Sequence, residues 1–137
     1  MTINTSATGR NAALNGRVTA LGASATSKWY NGAKPAAFGA PAGVLLATLT
    51  YGTDVTAANG GTAGGVSASV LTFGGFTQTN TSHVSGTPTF VRFSTAAGVV
   101  IDDIDIGATA GTQIQFTGTI VANQNITGTL TITGSNP

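Results

Sequence analysis

The sequence predicts a mainly β protein, an antiparallel β-sandwich or jelly roll with a short N-terminal helix or arm. Short runs rich in Val, Ile, Leu, Phe and Thr recur at close spacing, about seven or eight of them, separated by Gly, Pro and Asn turns. The last run alternates cleanly: Ile126, Leu130 and Ile132 face one way, and Thr127, Thr129, Thr131 and Thr133 the other. Residues 87–107 have the form of a hairpin, with β-branched and aromatic residues on either side of the turn Thr95-Ala-Ala-Gly98.

A chain of 137 residues with no linker-like break is most simply one folded domain, at 23–137, behind an arm or helix at 1–22. Only 7% of residues are charged, against about a quarter in ordinary soluble domains, so the surface is carried by hydroxyls and backbone. The 20 glycines alone would suggest disorder, but the 41% hydrophobic content and the β-branched runs point to a packed sheet. A formal charge of +1 without a basic tract argues against a nucleic-acid partner. Cysteine is absent, which excludes disulfides and thiolate chemistry. The start lacks the pattern of a secretory signal, and the longest apolar run, at 43–51, is too short to span a bilayer, so synthesis in the cytoplasm and no membrane partner are expected.

Along the chain, Ser6 or Thr8 is placed to cap a helix running to about Leu21, with Gly22 to end it. Leu14, Val18 and Leu21 form a narrow apolar stripe flanked by Arg10 and Arg17. Gly9 and Gly16 each cost such a helix about 1 kcal/mol relative to Ala, so it must dock on its own sheet or on a partner. Residues 28–32 read as a strand entering a turn, with Trp29 in the core, and 33–42 as a loop. Residues 44–51 are apolar on both faces in part and read as an interior strand. A Gly-rich tip lies within 54–65, and 66–76 is a strand pair or bent strand before a polar loop that holds His83.

In the hairpin, pairing Ser94 with Val99 puts Val91, Phe93, Val100 and Ile104 on the core face. Phe90, Arg92, Ile101 and Asp103 then share the other face, with Arg92 diagonal to Asp103 in an exposed ion pair worth about 0–1 kcal/mol. This register turns Asp102 toward the core, which calls for a bulge near Asp102 and Asp103 or a different register. Beyond it, Ile114 and Phe116 alternate with Gln113, Gln115 and Thr117 in a half-buried strand.

The inventory for catalysis is small: one His, no Cys, no Glu and four Asp. His83 sits in a polar loop with no nucleophile elbow nearby, and the Gly-rich tip lacks the Lys-Ser/Thr and helix of a phosphate loop. Asp102, Asp103 and Asp105 could attract calcium, but alternation leaves only Asp103 and Asp105 on one side, so an acidic strand end paired with Arg92 is the simpler state. No catalytic residue, cofactor or metal is expected. The threonine row at 127–133 could suggest ice binding, and is more simply a solvent or partner face.

Three stretches together resemble small virion structural proteins of tailed bacteriophages. They are Arg-Asn-Ala-Ala-Leu at 10–14, Trp-Tyr-Asn-Gly-Ala-Lys-Pro at 29–35 leading to Gly-Val-Leu-Leu-Ala-Thr-Leu-Thr at 43–50, and Gly-Thr-Pro-Thr-Phe-Val-Arg-Phe-Ser-Thr-Ala-Ala-Gly at 86–98. Where Phe93-Ser94 stands here, that group carries a Tyr-Asp pair, so any role for an acid there does not carry over. The resemblance implies a capsid decoration or cement protein on the exterior of the virion. Its partners would be the major capsid protein and copies of itself, as a homo-oligomer. Arg10, Leu14, Arg17 and Val18 would reach the coat, and Thr127, Thr129 and Thr131 would meet like copies. The alternative implied is a tail-associated or fibre component that recognises a host surface through loops 54–65 and 76–87.

Overall fold

Ser6 starts an α-helix, α1 (Ala7–Leu21), by accepting a hydrogen bond from the Gly9 amide on its hydroxyl at 3.1 Å. Gly22 ends it at φ 70°, its own amide donating to the Val18 carbonyl at 3.1 Å. The computed structural model describes residues 5–56, 65–67, 70–73, 76–79, 84–107, 114–115, 119–122, 125–128 and 130–133. Leu14 and Leu21 are buried and Val18 packs beside them, so the stripe docks on the chain's own strands, at residues 65–67, 70–72 and 100–107. Burial of each leucine contributes about 1.5–3 kcal/mol, enough to offset both helix glycines.

Among the described residues ten strands follow: β1 (Thr26–Tyr30), β2 (Leu45–Thr50), β3 (Gly65–Ser67), β4 (Val70–Thr72), β5 (Phe76–Thr79), β6 (Phe90–Ser94), β7 (Val100–Gly107), β8 (Ile114–Gln115), β9 (Asn125–Gly128) and β10 (Thr131–Thr133). Eight of them run in the order β2-β1-β6-β7-β8-β10-β4-β3, and β5 pairs with β9 apart from these. The pairings are antiparallel except β7 with β8, which is parallel, a departure from the wholly antiparallel expectation. The chain is therefore mainly β with one N-terminal helix, and the span 66–76 resolves into a strand pair, β3 and β4, followed by the start of β5.

Trp29 lies fully buried at the centre of β1, and its indole N–H donates to the Ser27 hydroxyl at 3.1 Å. The Tyr51 hydroxyl donates to the same oxygen at 3.4 Å, and burial pushes its phenol far above the ordinary tyrosine range. Ser27 thereby satisfies two aromatic donors inside the core, where each would be costly unpaired. The Tyr51, Phe73 and Phe93 rings continue the core, with centroids 5.8 Å and 4.9 Å apart in turn.

Three expectations are corrected. Strand β2 stands first in the strand order, at an edge, rather than in the interior. Its double apolar character comes from a register shift opposite Trp29 and Tyr30, which turns both Leu46 and Ala47 inward and leaves Leu45 exposed. In the hairpin, Ser94 pairs with Val100 and Phe93 with Asp102, so the bulge falls at Ile101 and Arg92 lies directly opposite Asp103. The last run is two strands: β9 pairs with β5, and β10 joins β4 and β8. Thr127 and Thr131 therefore lie in different strands and form no single row, while Thr129 is outside the described residues.

Gly43 closes the turn between β1 and β2. The Asn31 amide donates to the Val44 carbonyl at 3.1 Å, the Val44 amide donates to Asn31 Oδ1 at 2.7 Å, and a Cβ on Gly43 would lie 1.6 Å from the Asn31 carbonyl oxygen. Gly43→Ala is expected to cost about 2 kcal/mol or more, because backbone must move rather than a flexible side chain. Equilibrium urea unfolding measures this, and a midpoint equal to wild type would show that the turn can relax.

Candidate functional site

Alternation along β7 sends Asp102 to one face of the sheet and Asp103 and Asp105 to the other, and each acid meets a cation from a different element. Asp102 faces α1, where Arg17 Nε lies 2.9 Å from its Oδ2. That oxygen is buried and receives no well-directed hydrogen bond, so the contact is chiefly Coulombic. Burial raises the Asp102 carboxyl above the ordinary aspartate value; Arg17 pulls it back in part, and the neighbouring Asp103 charge adds to the rise.

On the opposite face, Arg92 donates from Nε and Nη2 to the two oxygens of Asp103, each at 2.7 Å. The side chains are 10% and 4% exposed, so the expected solvent-exposed pair is in fact buried and bidentate. The hydrogen bonds to Asp103 raise the Arg92 guanidinium further above its already high range. Nη2 also donates to the Gly39 carbonyl at 2.8 Å, which ties the 33–42 loop to the sheet. Lys34, on the same loop, donates to Asp105 at 2.7 Å, with both groups largely in water. Tyr30 stacks on the buried Phe90 ring, centroids 5.1 Å apart, and burial raises its phenol.

The loop held by Arg92 is strained. Within the tight turn Ala36–Phe38, Ala37 and Phe38 adopt φ 50° and 58°, left-handed conformations that cost a residue with a Cβ about 1–2 kcal/mol each. Phe38 remains 56% exposed rather than turning into the core. Beside it opens a shallow cavity of about 210 Å3 lined by Lys34, Pro35, Ala37, Phe38 and Asp103. Arg92 and Asp103 were singled out from the sequence, but Lys34 and Phe38 were not; two consecutive β-carbon-bearing residues in left-handed backbone leave no compositional signal.

The residues expected to contact partners have other neighbours here. Leu14 is buried, the partly buried Val18 packs on the core, and Arg17 pairs with Asp102. Arg10 is half-buried and its guanidinium donates to the Thr5 carbonyl. Thr131 is half-buried in β10. Exposed apolar side chains lie elsewhere: Phe38, Val44 and Leu45 on the loop and edge strand, and Val84, whose amide donates to the Leu46 carbonyl at 2.8 Å. His83 and most of the loops 54–65 and 76–87 lie outside the described residues.

Among the described residues no three His, Cys, Asp or Glu side chains gather as a metal would require, and no helix is long and apolar enough to cross a membrane. Comparison of the chain with protein families, with curated proteins and with solved structures returns no match.

Arg92→Ala is expected to destabilise the fold by about 3 kcal/mol, since it strands the Asp103 carboxylate and releases the Gly39 carbonyl together. Urea unfolding reads this; a loss below about 1 kcal/mol would mean the pair behaves as a surface one. For Asp102 the folded carboxyl lies above its reference value of 3.8, so the fold favours the protonated form. Its stabilising contribution grows as pH falls through the raised value and is complete below the unfolded one. The unfolding free energy of wild type minus that of Asp102→Asn should therefore rise as pH is lowered from about 7 to about 3. A difference that is flat or falls over that range would contradict the burial argument.

Proposed function

We propose that this chain is a non-enzymatic structural protein of a bacteriophage particle, a capsid decoration protein that binds the coat shell and stabilises it. The observation that carries the reading is spatial. The three stretches that resemble phage virion proteins share one core: 29–35 and 43–50 supply most of the β1–β2 pair, 86–98 supplies β6 beside β1, and 10–14 belongs to the helix packed on the same core. Two of the stretches thus lie side by side in β2-β1-β6, and the helix that carries the third docks on β3, β4 and β7 over the same core.

The surface suits repeated weak contacts. With 7% charge, and with Asp102, Asp103 and Asp105 each facing a cation of the same chain, little ionic repulsion opposes close packing of many copies. Edge strand β2 and its flanks present Val44, Leu45 and Val84, a place where a neighbouring chain gains apolar burial. Each contact adds a modest free energy to the assembled shell alone, which is how a cement protein stabilises by mass action. We also propose that β2-β1-β6-β7 and β8-β10-β4-β3 close on each other as a sandwich; one buried cluster draws Trp29, Leu49 and Phe93 from the first group and Leu71, Ile114 and Ile132 from the second.

Quantitative mass spectrometry of purified particles tests the assignment. A decoration protein is present in proportion to the coat protein, whereas a small fixed copy number set by tail symmetry would move the chain to the tail. Absence from particles would overturn both. Leu45→Lys places a charge on the exposed edge and is expected to lower shell occupancy while changing stability by less than about 0.5 kcal/mol. Unchanged occupancy would exclude this edge as the contact.

A further inference from the structure

The cavity beside Phe38 has features that a contact with the shell does not require. It is small, about 210 Å3, below the range of about 300–1,000 Å3 that holds drug-sized ligands, and has room for one ring. Phe38, Pro35 and Ala37 make an apolar wall, with Phe38 presented to solvent. The other side is polar. The Asp103 carboxylate has about four lone-pair positions, of which Arg92 takes two. The Lys34 ammonium has three donors, of which Asp105 takes one.

The charges select the occupant. The two charged groups that line the cavity, Asp103 and Lys34, are already matched by Arg92 and by Asp105, so neither a free anion nor a free cation finds an unpaired partner there. A purely apolar side chain would cover the remaining acceptor and donor positions without satisfying them. A neutral ring that is apolar on one face and carries hydroxyls on its edge fits both halves, since each hydroxyl both donates and accepts. The backbone is already set for it: Ala37 and Phe38 are held in left-handed conformations by the Gly39 amide donating to Ala36 and by Arg92 donating to the Gly39 carbonyl. A rigid aromatic held in water loses little freedom on binding.

We propose that this cavity binds a single pyranose ring of a carbohydrate, with the ring's C–H face on Phe38 and its hydroxyls shared between Asp103 and Lys34. The site does not depend on where in a particle the chain resides, and shell occupancy can be measured separately from sugar binding.

The test is saturation-transfer NMR on the full chain with the methyl glycosides of glucose, galactose, mannose and N-acetylglucosamine, followed by amide shift mapping. The expected result is transfer to at least one glycoside, with shifts confined to residues 34–39 and 103. Phe38→Ala and Lys34→Met should each weaken that binding about tenfold or more, with Tm unchanged, because both side chains are substantially exposed. No transfer to any of the four, or binding indifferent to Phe38→Ala, overturns the proposal. If the glycosides fail while Phe38→Ala strips the protein from shells, the loop is a protein contact and the carbohydrate reading is wrong.

Discussion

The Arg92–Asp103 pair is the constraint on which the exposed face of this protein depends. Its two hydrogen bonds fix the β6–β7 hairpin side to side, and the third, from Arg92 to the Gly39 carbonyl, holds a loop that would otherwise relax out of left-handed backbone. Charged groups this buried are costly unless every lone pair and proton finds a partner. Here part of that cost is offset because one guanidinium serves a carboxylate and a carbonyl at once. The strained turn, the exposed Phe38 and the cavity next to it all lie on the loop that this arrangement ties to the sheet.

Strand β7 extends the same logic. Its three acids stand at the junctions of three elements with the sheet: Asp102 with Arg17 of α1, Asp103 with Arg92 of β6, and Asp105 with Lys34 of the loop. The pairs of Asp102 and Asp103 join elements where water is largely excluded, whereas the Lys34–Asp105 pair stands largely in water. They are unequal, however. The pair under the helix lacks a directed hydrogen bond and leaves its carboxyl raised by burial, whereas the pair on β6 is bidentate. The helix therefore owes its position mainly to the burial of Leu14 and Leu21, with Arg17 limiting the penalty of an acid on the apolar side.

The aromatic interior works by a parallel economy of polar groups. One buried hydroxyl, that of Ser27, receives both the Trp29 indole and the Tyr51 phenol, so two large side chains enter the core without an orphaned donor. Phe73 and Phe93 then stack across the interior, joining the strands on either side of β7 and β8 in the sheet order.

By itself the sequence determined the features whose causes are neighbours along the chain. Ser6 and Gly22 bound α1 because caps act within one turn, and the stripe of Leu14, Val18 and Leu21 dictated which side docks. Alternation in the hairpin placed Val91, Phe93 and Ile104 inside and turned Asp102 inward with them, and Trp29 followed from its size alone. Only the tertiary structure decided that Lys34 would meet Asp105, 71 residues away, that Arg92 would reach Gly39, and that β2 would lie at an edge. It likewise divided the final threonine run between two pairings and set β7 parallel to β8. These outcomes depend on how the sheet closes and on where one bulged residue falls, and alternating side chains carry the same pattern whichever strand becomes their neighbour.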